Sequence, residues 1–207
     1  MKKKFELIGF IITWLAVIAQ LILMIQNRQA DIAETVIRFI SFFTILTNTL
    51  VALYFSTKVF KLSNNLFRRN GALTAITTFI LIVGIVYQIA LRKIWAPTGL
   101  QLIVNELLHT IIPLYFLVYL ILYSNKSDYN YKQVLAWIIY PIAYLIFVFT
   151  RGYYSGYYPY PFLNISEIGT RQAGINTVII FCASVCLMLL LIFIGKHFIG
   201  LRNSKEN

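Results

Sequence analysis

The chain has 207 residues, 59% of them hydrophobic and only 12% charged, with two Cys and a formal net charge of +11. A soluble domain is nearer about 45–50% apolar and about 25% charged, so the composition excludes a soluble domain, a disordered chain and a small disulfide scaffold. Its roughly 120 apolar residues are about what six membrane-spanning helices need, at about 20 each.

The first apolar run, 7–25, follows Lys2, Lys3 and Lys4. It is too long for the apolar centre of a signal peptide and no small-residue cleavage site follows, so an uncleaved helix is expected. Further runs cover 36–57, 72–91, 102–123, 134–150 and 174–195. They do not alternate polar and apolar residues as barrel strands would. The expected fold is therefore all-α: one integral membrane domain over 1–207, a bundle of six transmembrane helices. The longest connection, 151–173, is too short for a soluble domain.

Basic residues orient the bundle. With the N-terminus in the cytoplasm, the inner side carries Lys2, Lys3, Lys4, Lys58, Lys61, Arg68, Arg69, Lys126, Lys132, Lys196, Arg202 and Lys205. The outer side carries half as many: Arg28, Arg38, Arg92, Lys93, Arg151 and Arg171. A multi-pass cell-membrane protein with both termini cytoplasmic is expected. Because these charges stand between apolar runs and not on one face, they argue against nucleic-acid binding. The Lys58–Arg69 loop is expected to meet anionic lipid headgroups. Membrane lipids are the expected partners, and the oligomeric state is left open.

The outer segment from Arg151 to Asn164 is rich in rings, with Tyr153, Tyr154, Tyr157, Tyr158 and Tyr160, two Gly and two Pro. Gly permits sharp turns and Pro opposes helix, so the segment is expected to be a shaped loop that could fold over the outer mouth as a lid. The alternative is an aromatic belt at headgroup level.

Ionisable and polar groups at membrane depth are costly and face the bundle interior. His109 lies seven residues into the fourth run, about 10 Å deep, and Thr44 eight residues into the second, about 12 Å deep from the same side. Thr44, Thr47 and Asn48 share a helix face, and Asn105 and Glu106 lie one turn above His109. Arg38 and Arg151 stand higher still. Each alone has a structural explanation: Thr bonds to backbone carbonyls, and Pro113 and Pro141 kink helices. Cys182 and Cys186, with no His or acid near them on their helix, read as packing and not as a metal site. No metal or organic cofactor is implied, and the common phosphate, dinucleotide and hydrolase motifs are missing.

Together, a Thr hydroxyl and a neutral imidazole make a nucleophile and its base. Oxyanion or substrate contacts could come from Arg38, Asn48, Asn105, Glu106, Arg151 or Tyr160. A pair opening toward the outer leaflet would take a lipid or fatty-acyl ester entering sideways. Two other readings use the same residues: a transporter or proton-coupled carrier, with His109, Glu106 and Arg38 as a relay, and a lipid-binding scaffold.

The segments Phe43-Thr44-Ile45-Leu46-Thr47-Asn48, Asn105-Glu106-Leu107-Leu108-His109-Thr110-Ile111-Ile112-Pro113 and Tyr158-Pro159-Tyr160-Pro161-Phe162-Leu163 resemble the androgen-induced membrane hydrolase family, and its bacterial six-helix relatives more closely still. The resemblance implies Thr44 as nucleophile and His109 as base of an intramembrane pair. Eukaryotic members hydrolyse fatty acid esters of hydroxy fatty acids. Two positions depart from the family pattern. The family has Asn three residues after its Thr, where this chain has Thr47 and then Asn48, which makes Thr47 the alternative nucleophile. Some relatives carry a further His where this chain has Glu106.

Overall fold

A computed structural model describes residues 1–204, with side chains through Phe198; Lys205 of the inner basic set lies outside the described residues, as does the Arg202 side chain. The described residues are helical, without strands. The helices are α1 (Lys2–Gln26), α2 (Ile32–Ser41), α3 (Phe43–Val59), the single turn α4 (Asn65–Arg68), α5 (Ala72–Val86), α6 (Gly99–Glu106), α7 (Ile112–Tyr123), α8 (Val134–Ser155) and α9 (Ile165–Ser204). Among the described residues, five helical stretches are long and apolar enough to cross a membrane (Lys2–Gln26, Ala72–Leu91, Gly99–Tyr123 through α6 and α7, Tyr131–Ser155 and Ile165–Phe198), or six if α2 and α3 count as one bent crossing.

The chain runs back and forth between two ends. The basal end holds the start of α1, α4 and the 124–130 turn. The far end holds α2 and the 92–98 and 156–164 connections. The most buried helix is α5, which contacts α3, α7, α8 and α9, while α1 lies against α3. Tyr54, Phe55, Phe116 and Tyr119 form a buried edge-on aromatic cluster toward the basal end. Outward faces carry Ile18, Leu135, Ile146, Ile179 and Phe193, all more than a third exposed. Water would penalise so much open apolar surface and hydrocarbon would not.

The sequence suggests one straight helix over 36–57, but the chain bends by 75° between α2 and α3. Phe42 is extended at the break (φ −79°, ψ 123°). Neither Gly nor Pro stands there; side chains from elsewhere hold the bend. The Tyr144 hydroxyl donates to the Ser41 carbonyl at 3.1 Å, a group the broken helix leaves unpaired. The Phe42 ring packs edge-on against Tyr160. At 17 residues, α3 alone spans about 25 Å, short of the about 30 Å hydrocarbon core. Other helices run past their expected limits, with α8 reaching Ser155 and only Gly156 (φ 68°) turning the chain.

Two helices widen locally into π turns, Tyr87–Leu91 at the end of α5 and Leu107–Ile111 between α6 and α7. Pro113 has a direct part in the second. It has no N–H to give the His109 carbonyl four residues back, so that oxygen is freed from the helix ladder. The oxygen turns toward Gly84, where a Cβ would stand 2.9 Å from it. Only a glycine lets α5 come this close.

Candidate functional site

The bend makes Thr44 the second residue of a helix that begins inside the bundle. The N–H groups of a first turn have no acceptor within the helix. That of Thr44 donates to the Tyr160 hydroxyl at 3.2 Å, and the same hydroxyl lies 3.2 Å from Thr44 Oγ1. The positive end of the α3 dipole falls on this turn.

His109 comes from the π turn facing it. Its Nε2 is 3.4 Å from Thr44 Oγ1. Its Nδ1 is 2.9 Å from the Asn105 carbonyl oxygen. A carbonyl only accepts, so Nδ1 carries a proton, and in the neutral form of the ring Nε2 is the bare nitrogen that faces the threonine. The imidazole stacks on the Tyr87 ring at 4.2 Å, and the Asn105 amide donates to the Tyr87 hydroxyl at 2.6 Å. Ring plane, tautomer and height of His109 are all fixed by neighbours. Similar depth on two helices has thus become direct contact.

The other expected site residues divide. Asn48 is fully buried and its amide donates to the carbonyls of Thr44 (2.8 Å) and Leu108 (3.3 Å). Both of its N–H groups are engaged by main-chain carbonyls. It ties the Thr44 turn to the His109 turn, and its Oδ1 has no partner. Thr47 is fully buried and hydrogen-bonded to Tyr140 at 3.0 Å, away from His109. Asn105 acts through its backbone on His109. Glu106 belongs to a separate stripe, where it accepts from Thr110 (2.8 Å) and pairs with Arg92 (2.6 Å).

Arg38 and Arg151 lie at the far-end rim. Both pair with Glu34, at 2.8 and 2.7 Å. The Tyr157 ring lies 4.4 Å from the Arg38 guanidinium and 4.7 Å from that of Arg151. This clamp holds the 156–164 connection over the bundle. Tyr160 reaches inward from it, 8% exposed, and stacks on Phe162. Tyr158 packs on Gly152, which stays helical instead of turning as the sequence suggests. Tyr153 and Tyr154 are open to the surroundings.

Compared with known proteins, the chain matches no family model, no curated protein and no solved structure. What it can do must be read from its own geometry.

A half-open cavity of about 80 Å³ lies beside Thr44, between α3, α5, α8 and α9. Val83, Val86, Leu145, Ile180 and Phe181 make its walls apolar, and Thr44 and Tyr160 bring hydroxyls to one side. The nucleophile candidate therefore stands on the wall of an apolar cavity with the imidazole behind it. Among the described residues no three His, Cys, Asp or Glu side chains gather closely enough to hold a metal ion. Cys182 and Cys186 are free and exposed on α9.

Sequence reasoning missed three contributors: the Phe42 break, Tyr87 and the π turns. Pro113 was the one available signal, because a proline four residues after His109 frees that residue's carbonyl.

Proposed function

We propose that this chain is an integral membrane hydrolase that cleaves a lipid ester, with Thr44 as nucleophile and His109 as base. The observation that carries the reading is the Thr44 Oγ1 to His109 Nε2 approach at 3.4 Å, with Nδ1 committed to the Asn105 carbonyl. Such contacts commonly tighten when substrate binds. The local resemblance to androgen-induced membrane hydrolases points the same way. The two-to-one excess of basic residues supports an orientation with both termini cytoplasmic, which would set the pair in the outer half of the membrane.

The ester carbonyl enters from the apolar cavity. Thr44 gives its proton to Nε2 as Oγ1 bonds to the carbonyl carbon. Charge gathers on the former carbonyl oxygen, where the Tyr160 O–H and the positive end of α3 stabilise it. His109 returns the proton to the departing alkoxide, leaving an acyl group on Thr44. Water, deprotonated by His109, then adds to that acyl group, and Thr44 leaves with the proton.

A proton-coupled carrier would need Glu106 and His109 in one relay. Glu106 is paired with Arg92 instead, which favours the hydrolase reading.

Labelling with a fluorophosphonate probe in detergent tests the proposal. Wild type and Thr47→Ala should label, and Thr44→Ala and His109→Ala should not. Failure of folded wild type to label, or undiminished lipid esterase activity in Thr44→Ala, would overturn it.

A further inference from the structure

The end of the bundle opposite Thr44 holds a second built site. A cavity of about 190 Å³ opens there, where α1, α3 and α4 meet the 124–128 turn. Lys2, Lys58, Arg68 and Arg69 line it, and Asp128 is the one carboxylate among the lining residues. An adjoining cavity of about 320 Å³ shares Lys58 and Arg68 and adds Lys61.

Carboxylates offset these cations only in part: Asp128 is attracted by Lys58 and Lys2 but sits within ion-pair distance of neither. Among the described residues none of the five makes an ion pair. The Lys58 ammonium lies 4.8 Å from the Tyr54 ring centre and that of Lys2 lies 5.6 Å from Tyr123. Aromatic faces attract a cation without cancelling its charge. Glu6 lies beneath, buried and accepting from the Tyr119 hydroxyl at 2.7 Å. Asp128 accepts the Asn125 N–H at 2.8 Å. Even with Glu6 counted, positive charge is in excess around a partly desolvated cavity, where like charges repel more strongly than in water.

The cavity is structurally fixed. Thr74 donates to the Asp128 carbonyl at 2.7 Å and the Gly71 N–H to the Ser127 carbonyl at 3.1 Å, which tie the turn to the start of α5. Arg68 donates to Ser63 at 3.3 Å, across its own loop. Planar guanidinium groups with free donors beside two ammonium groups match the tetrahedral oxygens of a phosphate.

We propose that this basal cavity binds a phosphate group, held by Arg68 and Arg69 with Lys2 and Lys58 supplying charge. The group can arrive as free phosphate or as the headgroup of a membrane phospholipid. The site is independent of the chemistry proposed at Thr44.

Two probes distinguish the sources: inorganic phosphate, by equilibrium dialysis against protein in a neutral maltoside detergent, and phosphatidic acid, by native mass spectrometry of protein from phosphatidylcholine nanodiscs with and without it. The pocket variant is Arg68→Gln/Arg69→Gln, with Lys2→Gln as a milder second. The control is Lys4→Gln/Lys132→Gln, which removes two charges near the same end but outside both cavities. The pocket pair should weaken binding about tenfold or more, the loss expected for charge-assisted hydrogen bonds, and the control should not. Binding of inorganic phosphate assigns free phosphate, and retention of phosphatidic acid alone assigns the lipid headgroup. Wild type that binds neither, or control and pocket variants that weaken binding equally, would overturn the proposal.

Discussion

Tyr160 meets Thr44 twice, taking its main-chain N–H and lying against its hydroxyl, both at 3.2 Å. One phenol therefore closes the open start of α3 and touches the group assigned as nucleophile.

Tyr160→Phe separates these roles. Loss of the O–H should lower kcat for a lipid ester about a hundredfold, the scale of a missing oxyanion donor. It should also lower stability by about 1–3 kcal/mol, because a buried N–H loses its acceptor. Turnover and thermal unfolding on the same preparation check both. Unchanged turnover with lowered stability would leave Tyr160 a helix cap only.

Gly84 controls how closely α5 approaches the His109 turn. In Gly84→Val the new Cβ would meet the His109 carbonyl at 2.9 Å and Pro113 at 3.4 Å. The two helices must separate, and His109 lies on the part that moves. Probe labelling at Thr44 should drop at least tenfold, since small misplacements of reacting groups cost about that much or more. Labelling at the wild-type rate would show that the π turn tolerates displacement.

The rim clamp depends on one carboxylate shared by two arginines. Individual exposed pairs are worth little, about 0–1 kcal/mol, but Arg151 has only 8% of its side chain exposed. Glu34→Gln should leave the bundle folded while loosening the connection that carries Tyr157 and Tyr160. Hydrogen exchange of 156–163 should speed up, with α5 unaffected. Equal rates in that connection would place its anchor elsewhere.

At the basal end, burial pushes the Asp128 carboxyl above the ordinary aspartate range, against the pull of the Asn125 N–H and of Lys58 and Lys2. The folded chain thus holds that proton more tightly than the unfolded chain does. The resulting stabilisation is complete below about pH 4 and lost as pH rises through the raised value. Asp128→Asn keeps an acceptor for Asn125 and has no such loss. Its melting temperature relative to wild type should rise from pH 4 to pH 7. A flat difference across that range would contradict the assignment.

Helix content and the long apolar stretches of α1, α5, α6 with α7, α8 and α9 were legible in the sequence because long apolar runs without alternation favour helices. The depth reckoned for Thr44 assumed a straight helix from residue 36, and the 75° break at Phe42 removes that premise; what the structure shows is the 3.4 Å approach of Thr44 Oγ1 to His109 Nε2. Which side chain faces which was not legible. Asn48 reads as a free donor until its two N–H groups are found on the Thr44 and Leu108 carbonyls. Glu106 and Asn105 are adjacent in sequence, yet they point into different clusters because a helix turns by about 100° per residue. The Phe42 break left no local mark, being held by Tyr144 and Tyr160 from more than a hundred residues away.

On the proposed chemistry, the break also bears on where two unlike reactants would meet. On that chemistry, an ester dissolved in lipid would reach Thr44 through the apolar cavity, which offers water few partners. The rim above, with Glu34, Arg38, Arg151 and the Tyr157 hydroxyl, is where water is at home. On the proposed chemistry, the acyl group and the water that releases it therefore arrive from different phases. Thr44 stands between the apolar cavity and the polar rim because α3 starts there, at the Phe42 break.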